Sequence, residues 1–168
     1  MSTKNLYNKE AIDKLKELVE DARFCMMSTI LSGQTPLLAR PMTVQEVDDE
    51  GTLWFFSSKD GDQEYKVNTN SDMQLFFSNT DKQEYLSIYG KATIHTDKET
   101  IEKHWSKMAD GWFDGKNDPN ITVIAIHPED IKYWETKHGK WMSSALLLYS
   151  ALTGDDEVNP GISGKLKI

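Results

Sequence analysis

The sequence predicts a mainly β, α+β fold, a small antiparallel β-barrel, closed or partly closed, with flanking helices. Strongly β-forming runs follow one another with only short turns, which is typical of an antiparallel meander and not of βαβ units. Six or seven such runs accompany two or three helical stretches in 168 residues, a proportion typical of small barrels. No linker-like segment interrupts the chain. We expect one domain, residues 1–168, with a helix at 8–22, a barrel at 24–136, and a C-terminal helix and tail at 141–168.

The first element is predicted to be a helix from Asn8 to Ala22. Apolar residues recur there at spacings of three and four, so that one stripe faces a core. Asn8 is the predicted N-cap, and the acidic residues Glu10 and Asp13 lie near the positive end of the helix dipole.

Three β-runs follow this helix. The predicted strands are Phe24–Leu31, Leu37–Val44 and Thr52–Ser57, each rich in β-forming residues. Turn-forming residues separate them, at Ser32-Gly33-Gln34 and at Asp48-Asp49-Glu50-Gly51. The short turns predict that neighbouring strands pair antiparallel.

The middle of the chain adds two more strands and a helix. A short helix is predicted around Gln63–Val67, and strands at Met73–Ser78 and Tyr85–His95 are separated by a turn at residues 79–81. Gly90 inside the second of these strands indicates a bend or a close backbone approach. The capping-box pattern Thr96-Asp97-Lys98-Glu99 predicts a helix that runs to about Met108.

The last third begins with a loop rich in Gly, Asn and Pro at residues 111–119. A pair of strands, Ile121–Ile126 and Ile131–Thr136, is predicted to follow, split at His127-Pro128-Glu129-Asp130. Residues 143–152 are predicted to be helical and the tail from Thr153 onward irregular. The run Gly161 to Leu166 resembles a phosphate-binding loop only by chance, because its glycine spacing is too short and Leu166 replaces Ser or Thr.

Composition and charge exclude several classes of function. The 27 acidic residues outnumber the 19 basic ones, which gives a formal net charge of −8, so broad nucleic-acid binding through a basic surface is not expected. No apolar run reaches the length of a membrane span and the N-terminal residues are polar, so neither a transmembrane helix nor a signal peptide is predicted. The single cysteine, Cys25, fits a reducing compartment, and we expect a cytoplasmic protein with Cys25 in its core.

Neither the four histidines nor the glycine pattern indicates a metal site or a dinucleotide-binding site. His95, His104, His127 and His138 lack the spacing of a zinc site, and we expect them at the surface or in supporting roles. No metal site is therefore predicted. No G-x-G-x-x-G follows a strand and opens a helix, so a Rossmann nucleotide site is not supported either.

The segment Leu38–Val44 is the most informative one. Arg40, one of only two arginines, lies within an apolar strand beside Pro41, which cannot donate a ladder hydrogen bond. One interpretation is an edge strand with Arg40 directed to solvent. The other is an irregular strand edge that offers backbone groups and a guanidinium to a planar anionic ligand, which suits the rigid fork of arginine.

Two further features suggest a ligand site. Ser57, Ser58 and Lys59 bring two hydroxyls and an ammonium to one strand end, where a phosphate can be held; the alternative is an ordinary polar turn. Trp112 lies in a Gly/Asp loop and Trp134 near the last predicted strand, positions where an aromatic residue covers a ligand, covers a subunit contact or simply packs in the core.

At these residues the chain resembles the FMN-binding split-barrel superfamily of pyridoxamine 5′-phosphate oxidase-like proteins, in its general stress protein 26 branch. The resemblance spans about Lys14 to Trp134 and consists of five motifs that occur in the family's order. These motifs are Ala39-Arg40-Pro41-Met42, Gly51 to Ser58, Tyr85 to Ala92, Trp112 to Gly115 with Asp118-Pro119, and Tyr133-Trp134.

The resemblance implies a six-stranded antiparallel split barrel, a homodimer, and FMN bound at the subunit interface. It assigns residues 40–43 to the flavin ring and ribityl chain, residues 56–58 to the ribityl phosphate, and Tyr85 to the flavin ring. Trp112 and Trp134 are expected from the second subunit. The full set of implied cofactor-binding residues is Arg40, Pro41, Met42, Thr43, Phe56, Ser57, Ser58, Lys59, Gln63, Lys66, Tyr85, Trp112 and Trp134.

The chain departs from the family pattern in two places. Relatives place basic residues for the FMN phosphate after the serine-rich strand end, where this chain has Asp62 and Gln63, with Lys59 and Lys66 as the nearest cations. The arginine-rich C-terminal motif of true pyridoxamine phosphate oxidases is missing, so vitamin B6 oxidation is not expected.

Three functions remain open at this point. The first is an FMN-binding general-stress flavoprotein, either a flavin-dependent oxidoreductase with an unknown small-molecule substrate or a flavin-binding protein, and no side chain is assigned as catalytic. The second is a non-enzymatic barrel for haem or another planar anion, with His95, His104 or His127 as axial ligand. The third is a dimeric stress protein with an empty site.

Overall fold

The structure is a computed structural model that describes residues 2–30, 38–59, 67–107, 109–136 and 161–168. These residues form nine β-strands, two α-helices and a short 3-10 turn at Ala109–Gly111. The helices are α1 (Asn8–Ala22) and α2 (Lys98–His104). The strands are β1 (Ser2–Thr3), β2 (Leu6–Tyr7), β3 (Phe24–Ile30), β4 (Ala39–Val47), β5 (Leu53–Ser58), β6 (Asp72–Asn79), β7 (Glu84–His95), β8 (Ile121–Thr136) and β9 (Gly161–Lys167).

Six of these strands close into an antiparallel barrel, as the sequence predicts. Their spatial order is β8-β5-β4-β3-β6-β7, and β7 pairs again with β8 to complete the ring. Inward-facing residues alternate along each strand and form one core. The largest fully buried side chains of the barrel include Met27, Phe55, Met73, Leu75, Ile88, Ile124, Ile126, Ile131 and Tyr133.

Helix α1 covers one side of the barrel with the apolar stripe predicted from its spacing. Leu15, Leu18 and Val19 are buried against the core. The predicted N-cap is wrong: Tyr7 is the N-cap residue, and no side chain caps the helix. The reason is that β2 leads directly into the helix and the chain turns at Asn8, which has a φ of 51°. Asparagine tolerates this left-handed conformation better than most residues.

Helix α2 is shorter than predicted and begins one residue later. Asp97, not Thr96, is its N-cap, and the Asp97 carboxylate accepts a hydrogen bond from the Thr100 backbone N–H at 2.9 Å. The helix ends at His104 instead of Met108 because the chain becomes extended at Trp105, with φ −63° and ψ 128°. This early end lets the following residues turn back toward β4 and β5.

The two strands predicted on either side of residues 127–130 are one continuous strand, β8. A β-bulge replaces the predicted break: Gly90 lies opposite Pro128 while Tyr89 lies opposite Asp130, so that the pairing register shifts there. Proline is tolerated at such a bulge. Gly90 lies directly against the His127 carbonyl, which confirms the close backbone approach predicted for this glycine.

The prediction of an irregular tail is wrong for residues 161–167, because they form β9. This strand pairs antiparallel with β8 and parallel with β1 and β2. The Tyr133 hydroxyl donates to the Lys4 carbonyl at 2.7 Å and strengthens the junction. The prediction failed because the Gly/Lys-rich run has low local β-propensity, and distant strands supply its hydrogen bonds.

Several predictions fall outside the described residues. These are the turn at residues 32–34, the helical residues 63–66 and the helix at 143–152. The domain boundaries also stay a prediction. Among the described helices, none combines the length and the apolar character that a membrane crossing requires.

Candidate flavin-type cavity at the split between β4 and β5

The barrel contains a split where β4 and β5 separate. β4 pairs with β3 from Ala39 to Thr43, but it pairs with β5 only from Val44 to Val47. On its other side β5 pairs with β8 along its whole length, so Phe56–Ser58 has a strand partner only on the β8 side. Residues 40–43 and 56–58 therefore face each other across a gap without ladder hydrogen bonds between the two strands.

This gap opens into a cavity of about 510 Å³, within the range of small-molecule sites. Eight of the predicted site residues line it, and these are Arg40, Pro41, Met42, Thr43, Phe56, Ser57, Ser58 and Trp112. Four further lining residues were not predicted: Phe24, Gln45, Ala109 and Phe113. For Phe113, its position beside Trp112 in the loop is the signal that could have indicated it.

Arg40 joins the two sides of the gap. Its Nη2 lies 3.4 Å from the Ser57 Oγ, to which it donates. Arg40 is half-buried, so the interpretation that it points freely to solvent does not describe this structure. The guanidinium thus meets the Ser57 hydroxyl at the cavity, which Ser58 also lines, and such donors suit an anionic group.

Aromatic side chains also line the cavity. We call residues 105–107 and 109–113 the cavity wall. Phe56, Trp105 and Phe113 contact one another with ring centroids 5.4 to 6.4 Å apart, the spacing of favourable aromatic pairs. Trp112 lies at the rim with 75 % of its surface exposed. The cavity therefore offers flat apolar surface next to its polar donors.

Lys59 directly follows the cavity-lining residue Ser58, but its side chain and its backbone N–H are bonded to residues 119 and 120. Its Nζ donates to the Pro119 carbonyl at 2.6 Å, and its backbone N–H donates to Asn120 O. The predicted residues Gln63 and Lys66, like Asp62, lie outside the described residues. Of the side chains predicted to hold an anionic group, Arg40, Ser57 and Ser58 line the cavity in the described part of the chain, and Lys59 does not.

Tyr85 and Trp134 are brought together, but not at the cavity. They are register partners on β7 and β8, and neither is among the residues that line the gap. Tyr85 is exposed on the outer face of the barrel. If these two residues contact a ligand in the cavity, they do so from a second subunit.

None of the three histidines proposed as axial ligands lines this cavity in the described part of the chain. His127 lies between Thr52 and Thr93, and His95 is near the Trp54 ring. His104 is buried, with 4 % exposure, so of the two positions expected for the histidines, at the surface or in a supporting role, the surface one does not apply to it. The geometry therefore gives no support to haem ligation at this gap.

Cys25 is a core residue, as predicted. It is buried in β3, and burial raises the pKa of its thiol to about 12. A thiol in this state is not a nucleophile at neutral pH. The cysteine can be set aside as a site residue.

The fold and the cavity together define the class of protein: a split β-barrel with a cavity between two separated strands. The family described as "Pyridoxamine 5'-phosphate oxidase like" matches residues 10–158, which is most of the chain. The chain belongs to this family, and the resemblance found in the sequence motifs is confirmed.

Individual relatives agree with this assignment. General stress protein 26 of Bacillus subtilis is 46% identical over 48 residues, a match that covers 29% of this chain and 34% of that protein. A structure described as a "putative general stress protein 26" from Jannaschia sp. CCS1 shares the fold, with a TM-score of 0.69 at 24% identity over 96% of this chain and 99% of that one. The general stress FMN/FAD binding protein of Xanthomonas citri has a TM-score of 0.63 at 28% identity, over 76% of this chain and 89% of that one.

Proposed function

We propose that this protein is an FMN-binding flavoprotein of the general stress type, with the flavin in the cavity between β4 and β5. The observation that carries the proposal is that Arg40, Ser57 and Ser58 line the same cavity of about 510 Å³ as the aromatic residues Phe56, Trp112 and Phe113, with Arg40 bonded to Ser57. The family membership and a relative called an FMN/FAD binding protein support the choice of ligand.

The lining residues fit the two halves of FMN. A flavin ring is flat and largely apolar, which suits a surface of Phe56, Trp112 and Phe113. The phosphate is anionic and needs hydrogen-bond donors, which Arg40 and the serine hydroxyls offer. Because the net charge of the chain is −8, the surface as a whole repels a phosphate, and these local donors must hold it.

When bound, the flavin supplies electron and hydride transfer. The chain's own lining residues bind and orient the ring, and the aromatic side chains exclude water from it. No carboxylate or imidazole is among the described lining residues, so we assign no side chain to proton transfer. The chemistry is that of an FMN-dependent oxidoreductase acting on a small molecule, or of a flavin carrier.

The functional unit is a homodimer in this proposal. Four large side chains are exposed on the outer face of adjacent strands β3, β6 and β7: Phe24, Met26, Phe76 and Tyr85. Met26 and Phe76 are register partners, so these side chains form one apolar face. Apolar faces of this kind mark interaction sites. Phe24 also lines the cavity, so a second copy seated on this face would cover the open side of the cavity.

The visible absorption spectrum of the freshly purified protein tests the proposal. We expect a flavin spectrum, release of FMN identified by mass spectrometry, and uptake of added FMN by the apoprotein with quenching of flavin fluorescence. A colourless protein that takes up no FMN would overturn the proposal and favour a stress protein with an empty site. A Soret band after addition of haem would favour the haem-binding alternative.

A further inference from the structure

Hydrogen bonds to two consecutive residues of β4, Gln45 and Glu46, hold the start of the cavity wall against this strand. Ser106 Oγ donates to Gln45 Oε1 at 2.7 Å, and His104 Nδ1 lies 2.8 Å from Glu46 Oε2. His104 is the last residue of α2, and Ser106 is the second residue of the cavity wall. Both contacts therefore lie where the wall leaves the helix.

A register shift in the sheet makes this double attachment possible. Val44 pairs with Phe55 and Glu46 pairs with Trp54, so Gln45 has no register partner on β5. In a regular strand, consecutive side chains point to opposite faces, whereas a bulge redirects one of them. Gln45 and Glu46 consequently both reach the segment from His104 to Ser106.

His104 is in an unusual environment for a residue with only a packing role. Its ring stacks on Trp54 with centroids 3.8 Å apart and an angle of 14° between the planes. Its Nε2 is buried without a hydrogen-bond partner in the described structure. Such an atom destabilises the fold, and a phenyl ring in this position would avoid the cost. What a phenyl ring lacks is the Nδ1 contact with Glu46.

From these contacts we infer that His104 and Ser106 are positioning residues, which fix the cavity wall against β4 and thereby set the width of the flavin cavity. Glu46 and Gln45 are their anchors. Neither His104 nor Ser106 lines the cavity, so each acts through the placement of Trp112 and Phe113, and Ser106 also through its partner Gln45, which lines the cavity. The effect on flavin rests on the proposed function, whereas the effect on the wall does not.

Two substitutions test this inference. His104→Phe keeps the stack on Trp54 and removes the bond to Glu46, and Ser106→Ala removes the hydroxyl. A single hydrogen bond of this type corresponds to about a fivefold change in an equilibrium constant. We expect each variant to bind FMN about fivefold more weakly in a fluorescence titration. Ser106→Thr and Glu46→Gln retain the hydrogen bonds and should bind within about twofold of the wild type.

A second measurement does not involve flavin. The backbone N–H groups of Trp112 and Phe113 both donate to the Ala109 carbonyl within the wall. Hydrogen exchange at these two amides should be about fivefold faster in His104→Phe and in Ser106→Ala. Tyr133→Phe is the matched control, because it removes one hydrogen bond of 2.7 Å at the β8–β9 junction. It should change neither the exchange at residues 112 and 113 nor the affinity for FMN.

The possible outcomes separate this inference from the proposed function. Wild-type exchange rates and FMN affinity in both variants would overturn the positioning role. If the wild type binds no FMN, the proposed function fails, and the exchange rates alone decide the inference. If His104→Phe does not fold, the comparison of Ser106→Ala with Ser106→Thr decides it.

Discussion

Arg40 and Ser57 meet across the gap between β4 and β5, with the arginine Nη2 3.4 Å from the serine Oγ. The two residues lie on β4 and β5, which pair with each other only from Val44 to Val47 of β4 and not at Arg40 and Ser57. Their side chains take the place of ladder hydrogen bonds, and both line the cavity. The Arg40 side chain reaches the cavity while its backbone stays paired with β3.

The first prediction concerns Arg40, whose planar guanidinium donates in a fixed geometry. Arg40→Lys keeps the positive charge but loses that geometry. We expect FMN affinity to fall by about tenfold, measured by fluorescence titration. Arg23 is the only other arginine and does not line this cavity, so Arg23→Lys is the matched control and should leave the affinity unchanged. Equal affinities for Arg40→Lys and the wild type would remove Arg40 from the site.

The second prediction concerns the apolar face around Met26 and Phe76. Phe76→Lys places a charge at the centre of the proposed subunit contact, and burying an unpaired charge is strongly unfavourable. We expect sedimentation to show a monomer of 19.2 kDa for this variant and twice that mass for the wild type. Tyr7, an exposed aromatic residue on β2, provides the control Tyr7→Lys, which should stay dimeric. A dimeric Phe76→Lys would place the interface elsewhere.

The third prediction concerns Gly164, at the junction of β9 with the N-terminal strands. A Cβ atom there would collide with the Lys4 carbonyl and lie 2.9 Å from the Tyr133 ring. Gly164→Ala should therefore lower the free energy of unfolding by about 1–3 kcal/mol, measured by urea denaturation. At Gly111 a Cβ atom would meet nothing within 4 Å, and Gly111→Ala should be close to neutral. Similar stabilities for the two variants would contradict the close packing at β9.

The fourth prediction concerns Glu84, which lies near Glu17 and Asp21. Its Oε2 is buried without a hydrogen-bond partner in the described structure. Burial, and then the charge of Asp21, raise the pKa of Glu84. The folded chain thus holds this proton more tightly than the unfolded chain does. The stabilising contribution is present below the unfolded pKa and is lost as the pH rises through the folded pKa.

Glu84→Gln stays neutral at every pH, so it should raise the Tm by about 1–3 °C at pH about 8 and have little effect at pH about 4. The gain is small because Glu84 is only partly buried and solvent screens its charge. Thermal melts at the two pH values measure it. Glu129 is exposed, and Glu129→Gln should show no such pH-dependent gain. A gain for Glu84→Gln that is larger at low pH would contradict the sign of the pKa shift.

Local sequence predicted the barrel strands well. Runs such as Leu53–Ser58 and Asp72–Asn79 consist of residues with strong β-propensity between short turns, so their identity as strands depends little on distant partners. β9 is the counterexample. Its run contains two glycines and two lysines and becomes a strand only because β8 and the N-terminal residues supply hydrogen bonds on both sides.

The sequence predicted part of the candidate site and not the rest. Residues 40–43 of β4 and 56–58 of β5 line the cavity and lie within recognisable motifs, so these two runs could be identified without a structure. The anchors Gln45 and Glu46 could not, because an ordinary alternation of side chains would send them to opposite faces. Only the register shift after Val44 brings both to His104 and Ser106.

The sequence by itself determined the family, the barrel strands, and the arginine and serine donors, because these follow from short-range propensity and local residue order. The tertiary structure alone decided that β4 and β5 separate, that β8 runs unbroken through its bulge, and that Tyr85 and Trp134 do not line the cavity. Those outcomes depend on strand pairing and register. Both are set by contacts between residues that are far apart along the chain, and local sequence does not encode them.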